Sequence, residues 1–486
     1  MRANPTWGRP AGWTIEVVAP AAESGAHPSR AERAERGRAA RRETPFASLA
    51  EHHPGAERDP VGLLETQAAA RIPQLVPVRY GRMATSAFAF FRGSALVMAD
   101  DLSRAPSSGL NTHLCGDAHL SNFGIYATPE RRLAFDINDF DETYPGPFEW
   151  DVKRLVASLE VASRDTGFGT KQRARIARGC AAEYRETMAL QAERGTLAVW
   201  YSHIEPTEEM VELADQLDSS SSKRMRKTLE KSWNRDSVQA LGKLTTVVDG
   251  RRKILSNPPL LVPIEEVFAD ADADELNREL RQRLSDYRST LQWDRRVPLE
   301  QFELVQVARK VVGVGSVGTR CWIILFRGVD DEDPLFLQAK EAVPSVLSDY
   351  LEGPSFENEG ERVVHGQRLM QAASDIFLGW QQGIGVDGVR RDYYLRQLRD
   401  GKGSAVIEAM TPTGMTLYGR LCGRALAYAH ARSGDRIAIA EYLGSSTEFD
   451  EAIAAFAQSY AAQTAHDHAA LLEAIAGGRV AARSGL

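Results

Sequence analysis

The stretch 303-ELVQVARKVVGVGSVGTRCWIILFRG-328 decides how this chain is read. Residues 313–318, GVGSVG, fit the spacing G-x-G-x-x-G with Gly313, Gly315 and Gly318, and with Ser316 among them. A dinucleotide fingerprint of that spacing must open a helix. Here the continuation TRCWIILFRG is β-branched and aromatic, so it predicts a strand, and ELVQVARKV predicts another before it. The unit is strand, glycine turn, strand. Glycines allow backbone amides to approach phosphate oxygens with no Cβ in the way. Gly313, Gly315, Ser316 and Gly318 are therefore expected to bind a nucleotide cofactor. An ordinary glycine-rich hairpin is the alternative on this motif alone.

Outward from the turn, 335-LFLQAKEAV-343 predicts the next strand and carries Lys340. A lysine there is a point charge within reach of nucleotide phosphates; the plainer reading is a strand lysine facing solvent. The segment 357-ENEGERVVHGQRLMQAASDIF-377 predicts a helix, on which Glu359, Glu361 or Gln367 could orient Lys340. A further strand is expected in 392-DYYLRQLRD-400.

Far upstream, 113-HLCGDAHLSNFG-124 and 135-FDINDFDE-142 crowd short polar side chains into two clusters. Phosphoryl transfer needs a carboxylate near the attacking hydroxyl and oxygen ligands for magnesium. The D-x-x-x-x-N spacing offers both, with Asp117 for the substrate, Asn122 for the metal and His119 between them. Asp139 is the first choice for a further magnesium carboxylate, then Asp141 and Asp136, since magnesium takes few protein oxygens beside substrate phosphates. Asp and Asn also cap turns, and His119 has a plain reading as a hydrogen-bonded core histidine. Arg79, Arg82 and Arg92 suggest either an anion patch or structural ion pairs.

These residues carry resemblances. Strand, glycine turn, strand is similar to the phosphate-covering loop of protein kinases. GDAHLSN followed by NDFDE resembles the paired motifs of aminoglycoside and choline phosphotransferases, which are relatives of those kinases. The resemblance implies that Asp117 is the catalytic aspartate, that Asn122 and Asp139 bind magnesium, and that Asp151 braces the loop. Cys115 stands where those families carry histidine. The glycine turn and lysine also follow the acidic motifs instead of preceding them, which implies a circular permutation. The chain as a whole resembles the bacterial family called domain of unknown function 2252. The matching stretches are VRYGRMATSAFAFFRG, HLCGDAHLSNFG, FDINDFDETYPGPFEWDVKRL, VVGVGSVGTRCW and RVVHGQRLMQAASDIFLGW.

The remainder of the chain sets the frame. Its 486 residues suggest two or three domains. The expected fold is α+β, a two-lobed kinase-like arrangement in permuted order. Its parts are a disordered arm or solvated helix over 1–45, a helix-rich lobe over 46–295 carrying the catalytic and metal loops, a β-rich nucleotide lobe over 296–405, and helices over 406–486. EWDVKRLVASLEVASRD predicts an amphipathic helix, and the serines at 219–222 predict an exposed loop. The net charge of -7 gives no sign of a nucleic-acid partner. No apolar run is long enough to span a membrane, the start lacks the layout of a signal peptide, and four scattered cysteines fit a reduced cytoplasm.

The expected function is ATP- and Mg2+-dependent phosphotransfer to an unidentified hydroxyl acceptor, a small molecule or a protein. Two alternatives stay open. One is a nucleotide-binding pseudokinase scaffold, suggested by Cys115. The other is a two-metal hydrolase using His113, Asp117, His119, Asp136 and Asp139, with metals about 4 Å apart.

Overall fold

The computed structural model describes residues 27–485 except 53, 56, 207–221, 224–226, 228–236, 249–250, 270–271, 312, 386–387, 399–400 and 402. Residues 1–26 of the expected arm and most of the 219–222 serine run lie outside the described residues.

The architecture is mixed α+β. Helices Phe148–Asp165, Thr170–Glu193, Pro412–Ser433 and Glu448–Ala476 pack on one another around one apolar cluster that includes Phe91, Phe148, Tyr442 and Phe456. The helix Pro412–Ser433 starts where its sequence directs. The Thr411 hydroxyl accepts from Gly414 N–H, and Pro412 occupies the first turn, where no amide partner is lost. Pro77 behaves in the same way. It lies in the first turn of the helix Val76–Met83.

Two expectations fail in this part. The helix Phe148–Asp165 is buried on nearly every side rather than amphipathic. Its charged residues are tolerated because they have partners, the condition for burying polar groups, although the Ser163 hydroxyl and Glu160 Oε2 have none. Glu149 accepts from Ser108, Glu160 from Arg164 and Arg173, and Lys153 lies 4.6 Å above the Phe456 ring. The arm is also not a loose segment over its described part. Arg30–Glu43 is a helix with a Ser29–Glu32 capping box, and Ala34, Gly37 and Ala40 are buried against the helix Arg436–Leu443. A Cβ at Gly37 would stand 2.1 Å from the Ala438 carbonyl oxygen, so only glycine permits this approach. The seam is made of small residues, which an apolar-stripe search does not register.

Four short strands lie inside the helical part. β1 (Asn111–Leu114) pairs antiparallel with β4 (Tyr144–Pro147), and β2 (Phe123–Ala127) with β3 (Leu133–Ile137). A separate hairpin joins β5 (Thr245–Val248) and β6 (Arg251–Ile254).

The second part is a six-stranded antiparallel sheet. Its strands are β7 (Leu261–Pro263), β8 (Glu303–Lys310), β9 (Cys321–Arg327), β10 (Pro334–Ala342), β11 (Gly379–Ile384) and β12 (Arg390–Gln397), in the order β11-β12-β10-β9-β8-β7. The glycine turn joins β8 to β9, and the helix Glu359–Met370 lies between β10 and β11 in the chain. One face of the sheet is covered by the helix Ala273–Thr290, whose Leu276, Leu280, Leu284 and Tyr287 recur at helical spacing. Ala240, Leu241 and Leu244 pack beneath Ile323, Leu325 and Phe336. Residues from 237 onward thus pack on the sheet, so the β-rich part does not begin at the expected 296. The change of texture there marks a switch of periodicity, not the edge of a packed unit.

Candidate functional site

The pairing of the small strands brings the two polar clusters together. Because β1 pairs with β4 and β2 with β3, the β1–β2 loop and the β3–β4 loop emerge side by side. Asn138 N–H donates to the Asn122 carbonyl at 2.7 Å and ties them. Gly116 has φ +80°, and a Cβ there would be 2.2 Å from the Glu142 carbonyl oxygen, so glycine is needed for the loops to touch. Asp151, on the buried helix Phe148–Asp165, accepts from Cys115 N–H at 2.8 Å and Gly116 N–H at 3.0 Å. His430 Nε2 lies 3.3 Å from the same Oδ2 that accepts from Cys115, and Tyr184 holds His430 at 2.8 Å.

Asp117 projects from this braced loop. Arg154, three residues beyond Asp151 and so on the same helix face, holds Asp117 Oδ1 through Nε at 2.9 Å and Nη2 at 2.8 Å. The Asn122 amide donates to the Asp117 carbonyl at 2.8 Å, which leaves its Oδ1 as an acceptor. His119 Nδ1 accepts from Ser121 N–H at 3.2 Å, so the ring proton belongs on Nε2, 3.6 Å from Asp117 Oδ2. Burial pushes the His119 pKa down to about 4, so the ring is neutral at pH 7.

The acidic cluster faces Lys340 across the junction of the two parts. Lys340 Nζ lies 2.6 Å from Asp141 Oδ2 and 3.4 Å from Asp139 Oδ1. Tyr394 is directly opposite Lys340 in the sheet register, and its hydroxyl donates to Asp141 Oδ1 at 2.6 Å. Burial works against the Lys340 charge, but Asp139 and Asp141 outweigh it and hold its pKa well above the lysine range. Burial would likewise raise Asp139, and the cations Lys340 and Arg396 overcome it and lower its pKa. Arg396 also anchors the loop by donating to the Asn138 carbonyl at 2.8 Å. From the helix Glu359–Met370, Arg362 donates to the Asp141 carbonyl at 2.9 Å and the Thr143 carbonyl at 2.7 Å. Glu142 accepts from Val346 N–H at 2.8 Å, and burial pushes its pKa up to about 7.

The glycine turn closes the site from above. Gly318 has φ +93°, a conformation that favours glycine. Ile72 N–H donates to the Gly318 carbonyl at 2.8 Å and Arg71 to the Val317 carbonyl at 2.6 Å, while the Ser316 hydroxyl lies 3.4 Å from Asp141 Oδ2.

Together these groups line one cleft of about 430 Å³. Asp117, His119, Asn122, Asp139, Asp141, Gly313, Gly315, Ser316 and Lys340 all border it. Other expected residues do not. Gly318 holds the turn rather than lining the cleft. Asp136 is 5% exposed on β3, faces Arg432 and Tyr126 instead, and is pushed by burial to a pKa of about 6. Neither Glu361 nor Gln367 pairs with Lys340: Glu361 meets His365 at 3.3 Å, and Gln367 donates to Gln371 at 3.0 Å. The phase of that helix turns Arg362 toward the acidic loop. Of the suggested arginine patch, Arg79 and Arg92 border the cleft and Arg82 does not; Arg71 joins them.

Sequence reasoning missed Arg154, Arg362, Glu142, Tyr394 and Arg396. Three of these leave a trace. Arg154 is one turn beyond Asp151, and Tyr394 and Arg396 alternate on a strand as Gln338 and Lys340 do, directly opposite them in the register.

No curated protein and no solved structure matches the chain. The chain belongs to the bacterial family described as "Uncharacterized protein conserved in bacteria (DUF2252)", whose model matches residues 71–474.

Proposed function

We propose that this chain is an ATP- and magnesium-dependent phosphotransferase, built on a protein-kinase-like fold with its halves in permuted order and using a hydroxyl compound as acceptor. One observation carries the reading. A glycine turn between strands, a lysine on the following strand and two acidic loops converge on one cleft, although Lys340 and Asp141 are 199 residues apart in the chain. Convergence of parts from such separated segments is what phosphoryl transfer requires, since its catalysis is largely positioning and charge stabilisation.

The roles follow from the contacts. The glycine turn and Lys340 address the nucleotide phosphates. Asp117 accepts the proton of the acceptor hydroxyl, with Arg154 fixing the carboxylate. His119, being neutral and turned toward Asp117, is a positioning residue. The donor set fits magnesium, with Asp139 and Asp141 about 30% exposed toward the cleft and Asn122 Oδ1 left as an acceptor. A few protein oxygens beside phosphate oxygens is the pattern this ion favours. When bound, it supplies charge neutralisation to the phosphates.

Among the described residues, no group of three or more His, Cys, Asp or Glu side chains is arranged to hold a metal ion. The turned-away Asp136 leaves the two-metal hydrolase without one of the carboxylates it calls on. The scaffold reading keeps one support beyond Cys115, namely the capture of Asp117 Oδ1 by Arg154. No helix among the described residues is long and apolar enough to cross a membrane.

The test is ADP release from MgATP across a panel of hydroxyl acceptors. Turnover should fall at least about 10²-fold in Asp117→Ala, the usual size of a general-base contribution. Undiminished turnover in that variant would refute the base assignment. MgATP binding without ADP release on any acceptor would select the scaffold.

A further inference from the structure

The phosphotransfer reading leaves one wall of the cleft unused. Arg71, Arg79 and Arg92 border it. Arg79 is 0% exposed. Its Nη2 donates to Gln67 and to the Gly93 carbonyl, and its Nε and Nη1 have no partner. Arg71 keeps a buried, unpartnered Nε beside its bond to the Val317 carbonyl. Arg92 has a buried, unpartnered Nε and makes no hydrogen bond or ion pair among the described residues.

A guanidinium does not shed its proton in a protein, so these groups stay charged. Burying a charge without a partner is unfavourable, and Arg71 and Arg79 also repel one another. The carboxylates of the cleft act on them through space, but none pairs with them directly. Asp117 is held by Arg154, Asp139 and Asp141 by Lys340, and Glu142 accepts from Val346 N–H. The planar fork of arginine matches the oxygens of phosphate and carboxylate.

We propose that Arg71, Arg79 and Arg92 form an oxyanion subsite for the acceptor, so that the substrate is a hydroxyl compound that also carries a phosphate or carboxylate group. The assignment to the acceptor rests on the phosphotransfer reading, in which Lys340 serves the nucleotide and Arg92 lies near Asp117. Arg71 also touches the glycine turn, and a Cβ at Gly315 would be 3.4 Å from the Arg92 carbonyl oxygen. The nucleotide's own phosphates are therefore the second source of an oxyanion, and the experiment separates the two.

The experiment is calorimetric titration of the full chain with inorganic phosphate at constant ionic strength, with and without saturating MgADP. Arg71→Gln and Arg92→Gln are run beside the wild type. Phosphate is expected to bind the wild type with and without MgADP. Each variant should weaken phosphate by roughly tenfold, the size of one charge-assisted pair, and Arg92→Gln, at a side chain that makes no hydrogen bond to the glycine turn, should leave MgADP affinity unchanged. Phosphate that does not bind the wild type, or binds all three proteins alike, overturns the subsite. Phosphate that competes with MgADP, with both ligands weakened in Arg92→Gln, assigns the arginines to the nucleotide and overturns the acceptor proposal. If MgADP does not bind at all but phosphate still requires the arginines, the subsite stands and the phosphotransfer reading falls on its own.

Discussion

The two walls of the cleft handle charge in opposite ways. On one, Lys340 is met by Asp139, Asp141 and Tyr394, and Arg396 and Arg362 clasp the backbone of the acidic loop. On the other, Arg71 and Arg79 lie against carbonyls and an amide, Arg92 makes no hydrogen bond among the described residues, and all three keep guanidinium nitrogens unpartnered. The first wall is self-sufficient and holds its geometry without a ligand. The second is incomplete, so its stability is expected to depend on what binds. A buried charge with a partner contributes to the fold, and one without a partner marks a place where a ligand's charge is missing.

The largest effect on stability should come from breaking the paired wall. Lys340→Met leaves two neighbouring carboxylates without their cation. The loss in unfolding free energy should be about 2 kcal/mol, below the usual cost of breaking a fully buried pair because both acids are about 30% exposed. Chemical denaturation checks this, and an unchanged midpoint would mean that the wall is not held by that pair.

An intermediate effect concerns Glu142, which burial pushes from 4.5 to a pKa of about 7. Between those values the folded chain holds the proton and the unfolded chain has lost it. The stability Glu142 contributes is therefore full below about pH 4.5 and declines as pH rises toward 7. Glu142→Gln removes that slope, so the variant should gain on the wild type as pH is raised through this window. His113 and His119, both pushed by burial to about 4, act with the opposite sign, and they do so equally in both proteins. Parallel stability curves for the two proteins would contradict the burial of Glu142.

The smallest effect belongs to the unpaired wall. Arg92→Gln removes no hydrogen bond and relieves a desolvated charge, so ligand-free stability should change by less than about 1 kcal/mol. A loss as large as that of Lys340→Met would erase the contrast between the walls.

How much of this was legible in the sequence depends on the range of each interaction. The glycine turn, Lys340, Asp117, Asn122 and Asp139 lie in local motifs whose spacing carries their chemistry, and all of these but Gly318 border the cleft. Asp136 misled because a strand alternates its faces, and the face of one residue on a short strand is not fixed by its neighbours. Glu361 and Gln367 misled because a helix phase cannot be read to within one residue. Arg362 and Arg396 act through backbone carbonyls of distant loops, a pairing that leaves no mark on composition. The helix Phe148–Asp165 looked amphipathic because polar residues normally face water; here they are matched by partners such as Ser108, Cys115, Asp117 and Phe456. The arm Arg30–Glu43 docks through Ala and Gly, which hydropathy does not see.

The most direct measurement is thermal unfolding of the full chain with and without MgATP, repeated for Lys340→Ala and Asp139→Ala. A ligand that binds the folded state raises the midpoint by mass action. The account predicts a magnesium-dependent rise with ATP in the wild type that is lost in both variants, because both parts of the chain surround one nucleotide. A wild-type midpoint that no nucleotide moves, or a rise that survives in both variants, would contradict it.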